Sequence, residues 1–434
     1  MEEHMMKKSL MLLAACVLVP VSIFANGNSE AKETTIEFWT HEDANRQKIE
    51  DQYISEFEEA NPGVTINATR QSSKKMIELL QTAFAANEGP TVFNCESQNA
   101  NPFVLAGRVA PINYEAIGYK DAADVKAHYK DGMLDPVTHD GEIYGLPFEG
   151  LSWCLYINKN VFRSAGLDPE KDYPKTWEDM VTVSQKLVKR DGDIITRRGF
   201  DFRYPYYLET LVPMVEQLGG ALFSEDGKEA IVGEEAWIKV LTYMQQWGPN
   251  GLNLGSPTYK NARKLFDANN DDIAMCLSGL YQEARIRNDN PAFYESGDWM
   301  VVPFPVFKDA VKDTSACYYG QYYMVNADAD KKTQADSWKF IGYMLSHEQD
   351  YLTQVNLIPP TKSLMSSQTF LDMPYADVFI SDMARAHHIY FGANSTEIQS
   401  LLGTAVSNVM LQNVSPEQAY LELKASVQEL VDEQ

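Results

Sequence analysis

Between residues 35 and 93 the chain alternates short extended apolar runs with longer stretches of helical period. This alternation restricts the fold more than any other feature. Residues 35–39 read as a strand. Over 46–60, Ile49, Tyr53, Ile54 and Phe57 recur at three- and four-residue spacing, which makes one stripe of a helix. Asn61-Pro62-Gly63 ends that helix. A second strand is expected over 64–69 and a second helix over 75–86, with Met76, Leu79, Leu80, Ala83 and Phe84 facing inward. A third strand is expected over 91–93. Strands separated by helices give an α/β class, a parallel sheet covered by helices.

The alternation resumes further on. A turn-strand is expected over 141–145, followed by Pro147-Phe148-Glu149-Gly150 and a strong strand over 153–157. Thr176 is placed to cap a helix running to Leu187, with Asp179 three residues on. Residues 274–277 form a short apolar strand ending in Ser278-Gly279. Ser415-Pro416-Glu417-Gln418 is a capping box with proline at the first helical position, and Tyr420, Leu423, Val427 and Leu430 give the helix after it an apolar stripe. At 434 residues the chain suits two domains rather than one core. It has no internal repeat and no low-complexity linker, so it is expected to cross between the two more than once.

The first 25 residues read as an export signal. Lys7 and Lys8 precede an apolar run over 10–25, too short to span a bilayer comfortably, and cleavage is expected after Ala25. A competing reading takes Leu13-Ala14-Ala15-Cys16 as a lipidation site at Cys16; the apolar run continues past it to Phe24, which favours soluble export. The net charge of −24 argues against nucleic acid as a partner. Cys95, Cys154, Cys276 and Cys317 are irregularly spaced with no CxxC, so reduced, buried thiols are expected and a zinc site is not. There is no GxSxG, HExxH, Walker loop or GxGxxG. His387-His388 and His347 are too sparse to indicate a metal centre, and Glu58-Glu59 and Asp271-Asp272 read as solvated charges. No catalytic residue, metal or cofactor is expected.

Several segments in order resemble the family 1 extracellular solute-binding proteins, the maltodextrin-binding group. They are TIEFWT at 35–40, FEEANPGV at 57–64, GPTVF at 89–93, YGLP at 144–147, LYINK at 155–159 and PKTWED at 174–179. Thr91 stands where the family usually has Asp. The resemblance implies two α/β lobes with a ligand cleft between them, the periplasmic-binding-protein fold of class II type. Lobe one is expected over 32–148 plus 320–371, and lobe two over 151–317 plus 374–434. It further implies a monomeric receptor that delivers a small molecule, a sugar first of all, to the permease subunits of an ABC transporter. A non-sugar solute such as a polyamine, and a secreted carbohydrate-active enzyme, are the alternatives.

Sugars offer an apolar face to aromatic rings and a rim of hydroxyls to polar side chains. On the family pattern the loop after the first strand contributes Trp39, His41, Glu42 and Asp43, and the loop after the third contributes Asn94 and Glu96. Trp153 follows the first crossover; it and Trp39 read equally as cleft or core. Tyr207 and Glu209 precede Gly219-Gly220 at the spacing of a family contact, and Tyr281 follows a small-residue turn where the family usually has Trp. Tyr318, Tyr319 and Gln321 lie at the second crossover. Gln399 stands where the maltodextrin binder has an aromatic, a departure that speaks against a long stacked glucan.

Overall fold

The computed structural model describes residues 33–389 and 392–433; the export segment and Cys16 lie outside the described residues. The expected alternation opens the fold. Strand β1 (Thr34–His41) leads into helix α1 (Ala44–Ala60), then β2 (Val64–Gln71), α2 (Ser73–Ala85), β3 (Val92–Glu96) and α3 (Ser97–Leu105). β1 pairs in parallel with both β2 and β3. Its alternate residues Ile36 and Phe38 are fully buried in one core with Tyr53 and Phe57 of α1, which lie on the stripe that the spacing assigns to the core.

Two further strands join this sheet, Tyr319–Val325 and Leu146–Leu151, giving the order β2, β1, β3, Tyr319–Val325, Leu146–Leu151. Tyr319–Val325 runs antiparallel to β3 and to Leu146–Leu151. The sheet is therefore mixed rather than purely parallel, because that strand returns from the other half of the molecule.

A second five-stranded sheet has the order Trp299–Val302, Cys154–Asn158, Ile273–Ser278, Ile194–Phe200, Lys189–Asp191. The first crossing between the sheets is short: Ser152 and Trp153 alone lie between Leu151 in the first sheet and Cys154 in the second. The second crossing enters the first sheet through Tyr318, just before Tyr319. The two run side by side, since Tyr319 pairs with Leu151 and Gly320 with Gly150. A Cβ on Gly150 would lie 2.8 Å from Pro360 Cγ and 2.9 Å from Met133 Sδ, so the strand passes there only as glycine.

The helix caps read from the sequence are present. Thr176 accepts from the Asp179 amide at 3.1 Å at the head of Trp177–Leu187, and Ser415 accepts from the Gln418 amide at 3.2 Å at the head of Pro416–Asp432. Trp177 anchors an aromatic core, stacked on Phe202 at 5.8 Å and donating from Nε1 to Gln217 at 3.2 Å. The four described cysteines are free and buried. The acidic pairs have structural partners: Glu58 accepts from the Ile66 amide at 2.7 Å, and Asp271 pairs with Lys189 and Arg197 at 2.7 Å each.

Candidate solute-binding cleft

Both sheets turn the carboxyl ends of their parallel strands toward one gap. His41 and Glu96 end β1 and β3, while Phe200 and Ser278 end the parallel pair of the second sheet. Such edges are where open α/β sheets bind ligands, because strand ends leave backbone and loop side chains free to converge.

The first wall is a chain of hydrogen bonds. Asn94 Oδ1 accepts from the His41 amide at 2.7 Å, and its Nδ2 faces His41 Nδ1 at 2.8 Å. The same Nδ2 donates to Gln321 Oε1 at 2.6 Å; Gln321 Nε2 donates to the Tyr319 hydroxyl at 2.7 Å, which donates to Glu96 at 3.2 Å. Strand pairing sets this row, since Gln321 lies opposite Glu96 and Tyr323 opposite Asn94. Burial, with the Arg46 guanidinium beside it, holds His41 well below its ordinary pKa against the opposing Asn94 bond, so the imidazole is neutral at pH 7. Arg46 is itself 1% exposed, donating to Glu50 at 2.8 Å, to Thr40 Oγ1 at 2.8 Å and to the His41 carbonyl at 2.6 Å.

The second wall is aromatic and cationic. Trp153 is fully buried, with the Arg203 guanidinium 3.8 Å over its ring, Tyr206 edge-on at 5.4 Å and Tyr319 of the first wall at 5.6 Å. Arg203 donates to the Tyr281 hydroxyl. A cavity of about 320 Å³ opens between the walls, lined by His41, Asn94, Glu96 and Gln321 on one side and by Tyr206 and Gln399 on the other. Met76 and Leu80 of α2 add an apolar side. The walls touch at both ends: Asn288 donates to Asn45 at 2.6 Å, Gln98 donates to Glu209, and Thr396 donates to Asn99 at 3.2 Å.

His41, Asn94, Glu96, Gln321 and Gln399 thus line one cavity, with Trp153, Tyr319 and Glu209 directly behind the lining and Tyr281 a layer further back on Arg203. Asp43 sits at the margin as the cap of α1, accepting from the Asn45 and Arg46 amides at 2.9 Å. Four expected residues are placed elsewhere. Trp39 packs half-buried against the core, and Glu42 is exposed outside the lining. Tyr318 points to the other face of its strand from Tyr319 and Gln321, as two-residue periodicity demands; its hydroxyl donates to the Met383 carbonyl at 2.9 Å. Tyr207 begins the helix Tyr207–Gln217, which turns its ring onto Tyr204 at 6.0 Å and leaves Tyr206 for the cavity. Gln399 also acts as a helix cap. Its Oε1 accepts from the Tyr207 and Leu208 amides at 2.9 and 3.0 Å, at the head of a helix that has no cap of its own.

Arg46, Glu149, Arg203 and Tyr206 were not singled out by sequence. The one available signal was the unperiodic run DFRYPYY at 201–207, dense in rings and carrying an arginine.

Two buried carboxyls near the cleft have displaced acidities. Burial pushes Glu149 up to about 8, against the pull of Arg46, and burial with the Glu96 charge pushes Glu209 up to about 7. The folded chain keeps these protons where the unfolded chain, at the ordinary carboxylate pKa, has lost them. Each group therefore favours the fold in acid, and its contribution declines as pH rises from roughly 4.5 through the folded value, with a slope of at most about 1.4 kcal/mol per pH unit. Glu149→Gln should flatten the fall in melting temperature between pH 5.5 and 8.5. Parallel profiles for the variant and the parent would show that Glu149 does not titrate there.

The sequence model of the bacterial extracellular solute-binding proteins matches residues 43–351. The chain belongs to this family. Among relatives of the solute-binding family, the sn-glycerol-3-phosphate-binding periplasmic protein UgpB of Escherichia coli O6:K15:H31 is 22% identical, over 95% of each chain. Among solved structures, the fold is that of an ABC transporter solute-binding protein of Thermotoga lettingae bound to α-D-tagatose, with TM-score 0.79, 19% identity and coverage of 92% of this chain and 100% of that one. The maltose/maltodextrin-binding domain of Bdellovibrio bacteriovorus, bound to maltotriose, superposes with TM-score 0.77 at 17% identity over 92% and 100% of the two chains. The two-lobed solute-binding fold is shared by both. Among the described residues no helix is long and apolar enough to cross a membrane, and no cluster of His, Cys, Asp and Glu is arranged to hold a metal.

Proposed function

We propose that this solute-binding protein is the receptor of an ABC uptake system, that it binds a sugar between its lobes, and that it delivers the sugar unchanged to a membrane permease. The observation that carries the reading is the row His41, Asn94, Gln321 and Glu96, backed by Tyr319, facing Tyr206, backed by Trp153, across one cavity. Amides, a neutral imidazole and a carboxylate match a rim of hydroxyls, and the rings match a sugar face. A cavity of about 320 Å³ suits a small sugar rather than a long glucan. The relatives named above bind tagatose, maltotriose and sn-glycerol 3-phosphate, all hydroxyl-rich.

We take the lobes as 32–148 plus 320–371 and 151–317 plus 374–434, a division supported by the two separate five-stranded sheets. Leu364 and Phe370 pack with Tyr156 and Phe379 of the second lobe, which favours a last crossing before Leu364. The hinge is the pair of adjacent crossings at Leu151–Trp153 and Tyr318–Gln321. Closure is a population shift, so a solute favours it only by touching both walls.

A thermal-shift screen over mono- and disaccharides tests the proposal. A solute at a hundred times its Kd should add about 2.7 kcal/mol of stability, and mass spectrometry should return it chemically intact. Conversion of the solute would instead favour an enzyme, and the absence of a shift with every sugar would remove sugars as the ligand class.

A further inference from the structure

Two arginines converge on the deep side of the second wall. The Arg203 and Arg263 guanidiniums lie 5.9 and 5.6 Å from the centroid of the same Tyr281 ring. Both line a recess of about 70 Å³ together with Tyr206 and Tyr259. Among the described residues neither forms an ion pair, and carboxylates on adjoining elements are already engaged: Asp201 with Arg198 at 3.2 Å and Asp267 with Arg285 at 2.9 Å. Glu149, which shares the field of Arg203, keeps its proton to about pH 8 and so offers little negative charge at pH 7. Two half-buried cations on one ring, each without an ion-pair partner, favour an anion between them.

The hydrogen-bond inventory has the same sign. Ser152 Oγ and Trp153 Nε1, both fully buried, and Arg203 Nε have no acceptor. Arg203 Nε is thus a free donor in the recess, and Ser152 and Trp153 add free donors on the segment whose indole ring lies under Arg203. An oxyanion brings several acceptors and a negative charge at once, and guanidinium forks match its geometry.

We infer that the solute carries an anionic group, a phosphate monoester or a carboxylate, and that Arg203 and Arg263 receive it beside Tyr281. This rests on the reading of the cleft as the solute site. The neutral hydroxyls of the same molecule face His41, Asn94 and Gln321.

The test titrates the mature protein with matched probes at constant ionic strength balanced by chloride: glucose, glucose 6-phosphate, glucuronate, glycerol, glycerol 3-phosphate and inorganic phosphate. Tryptophan fluorescence and melting temperature are the readouts. At least one anionic probe should bind tenfold or more tightly than its neutral parent, and which one does separates phosphate from carboxylate. Arg263→Gln, at a half-buried position, should weaken that probe by about tenfold to a hundredfold and leave a neutral parent unaffected. Lys260→Gln, at the exposed rim of the recess, should change little. Neutral sugars binding as tightly as their anionic partners, with Arg263→Gln without effect, would overturn the inference and leave the sugar-receptor reading standing. Absence of binding by every probe, neutral and charged, would overturn both.

Discussion

Trp153→Ala should cost about 3–5 kcal/mol of stability and also weaken solute binding by about tenfold or more, because the second wall loses the ring that positions it. The indole carries the Arg203 guanidinium on its face at 3.8 Å and meets Tyr206 at 5.4 Å and Tyr319 at 5.6 Å. It therefore holds the second wall in place and touches the first. A desolvated cation–π contact is worth about 2 kcal/mol and an aromatic pair about 1 kcal/mol. These contacts are made whether or not solute is bound, so their loss, about 4 kcal/mol with both rings counted, falls on stability; affinity falls because Arg203 and Tyr206 are no longer held in place. Trp177→Ala is the matched control. Trp177 is just as buried but packs among Phe202, Tyr243 and Phe304, away from the cavity. It should cost about 3–5 kcal/mol of stability and leave affinity near normal. Calorimetric titration and urea unfolding of both variants separate the roles. Normal affinity in Trp153→Ala would mean that these walls do not hold the solute.

Arg46→Met should destabilise the protein by about 3–5 kcal/mol, because it strands the Glu50 charge, 1% exposed, in the core of the first lobe. Glu50 keeps the Tyr323 hydroxyl at 2.9 Å and a longer ion pair with Arg70 at 3.7 Å, which offsets part of the loss without replacing the 2.8 Å hydrogen bond from Arg46. The penalty comes from an uncompensated charge, so adding Glu50→Gln should recover a large part of it, a coupling that a double-mutant cycle reads directly. A single-variant loss below about 1 kcal/mol, or strictly additive losses, would show that the pair does not hold this corner together. Affinity should fall as well, since Arg46 fixes the His41 carbonyl at 2.6 Å and thereby the end of β1.

These two residues mark how far the sequence could be read. Ile49, Tyr53 and Phe57 announced α1 by spacing, and the buried face in the structure is theirs. Arg46 lies on the same face, three residues before Ile49, yet no periodicity rule assigns an arginine to a core; only the fold, by bringing Glu50 and Thr40 to it, offsets the loss of water. Asn94 and Glu96 were legible because they end a strand of known direction. Tyr319 and Gln321 were legible with Tyr318, but telling the faces apart needed the register that sets Gln321 opposite Glu96. Tyr206 and Tyr207 are adjacent tyrosines in one loop, and which of them faces the cavity depends on where the helix begins. Gln399 becomes a cap for that helix from 192 residues away, a pairing that local sequence does not encode.

The crystal structure of the protein with the solute recovered from the screen tests the central claim most directly. It should show one unmodified molecule in the cavity between the sheets, bonded to Asn94 or Gln321 on the first wall and in contact with Tyr206 or Gln399 on the second. A solute seated against one lobe alone, or outside the gap between the strand ends, would contradict the account.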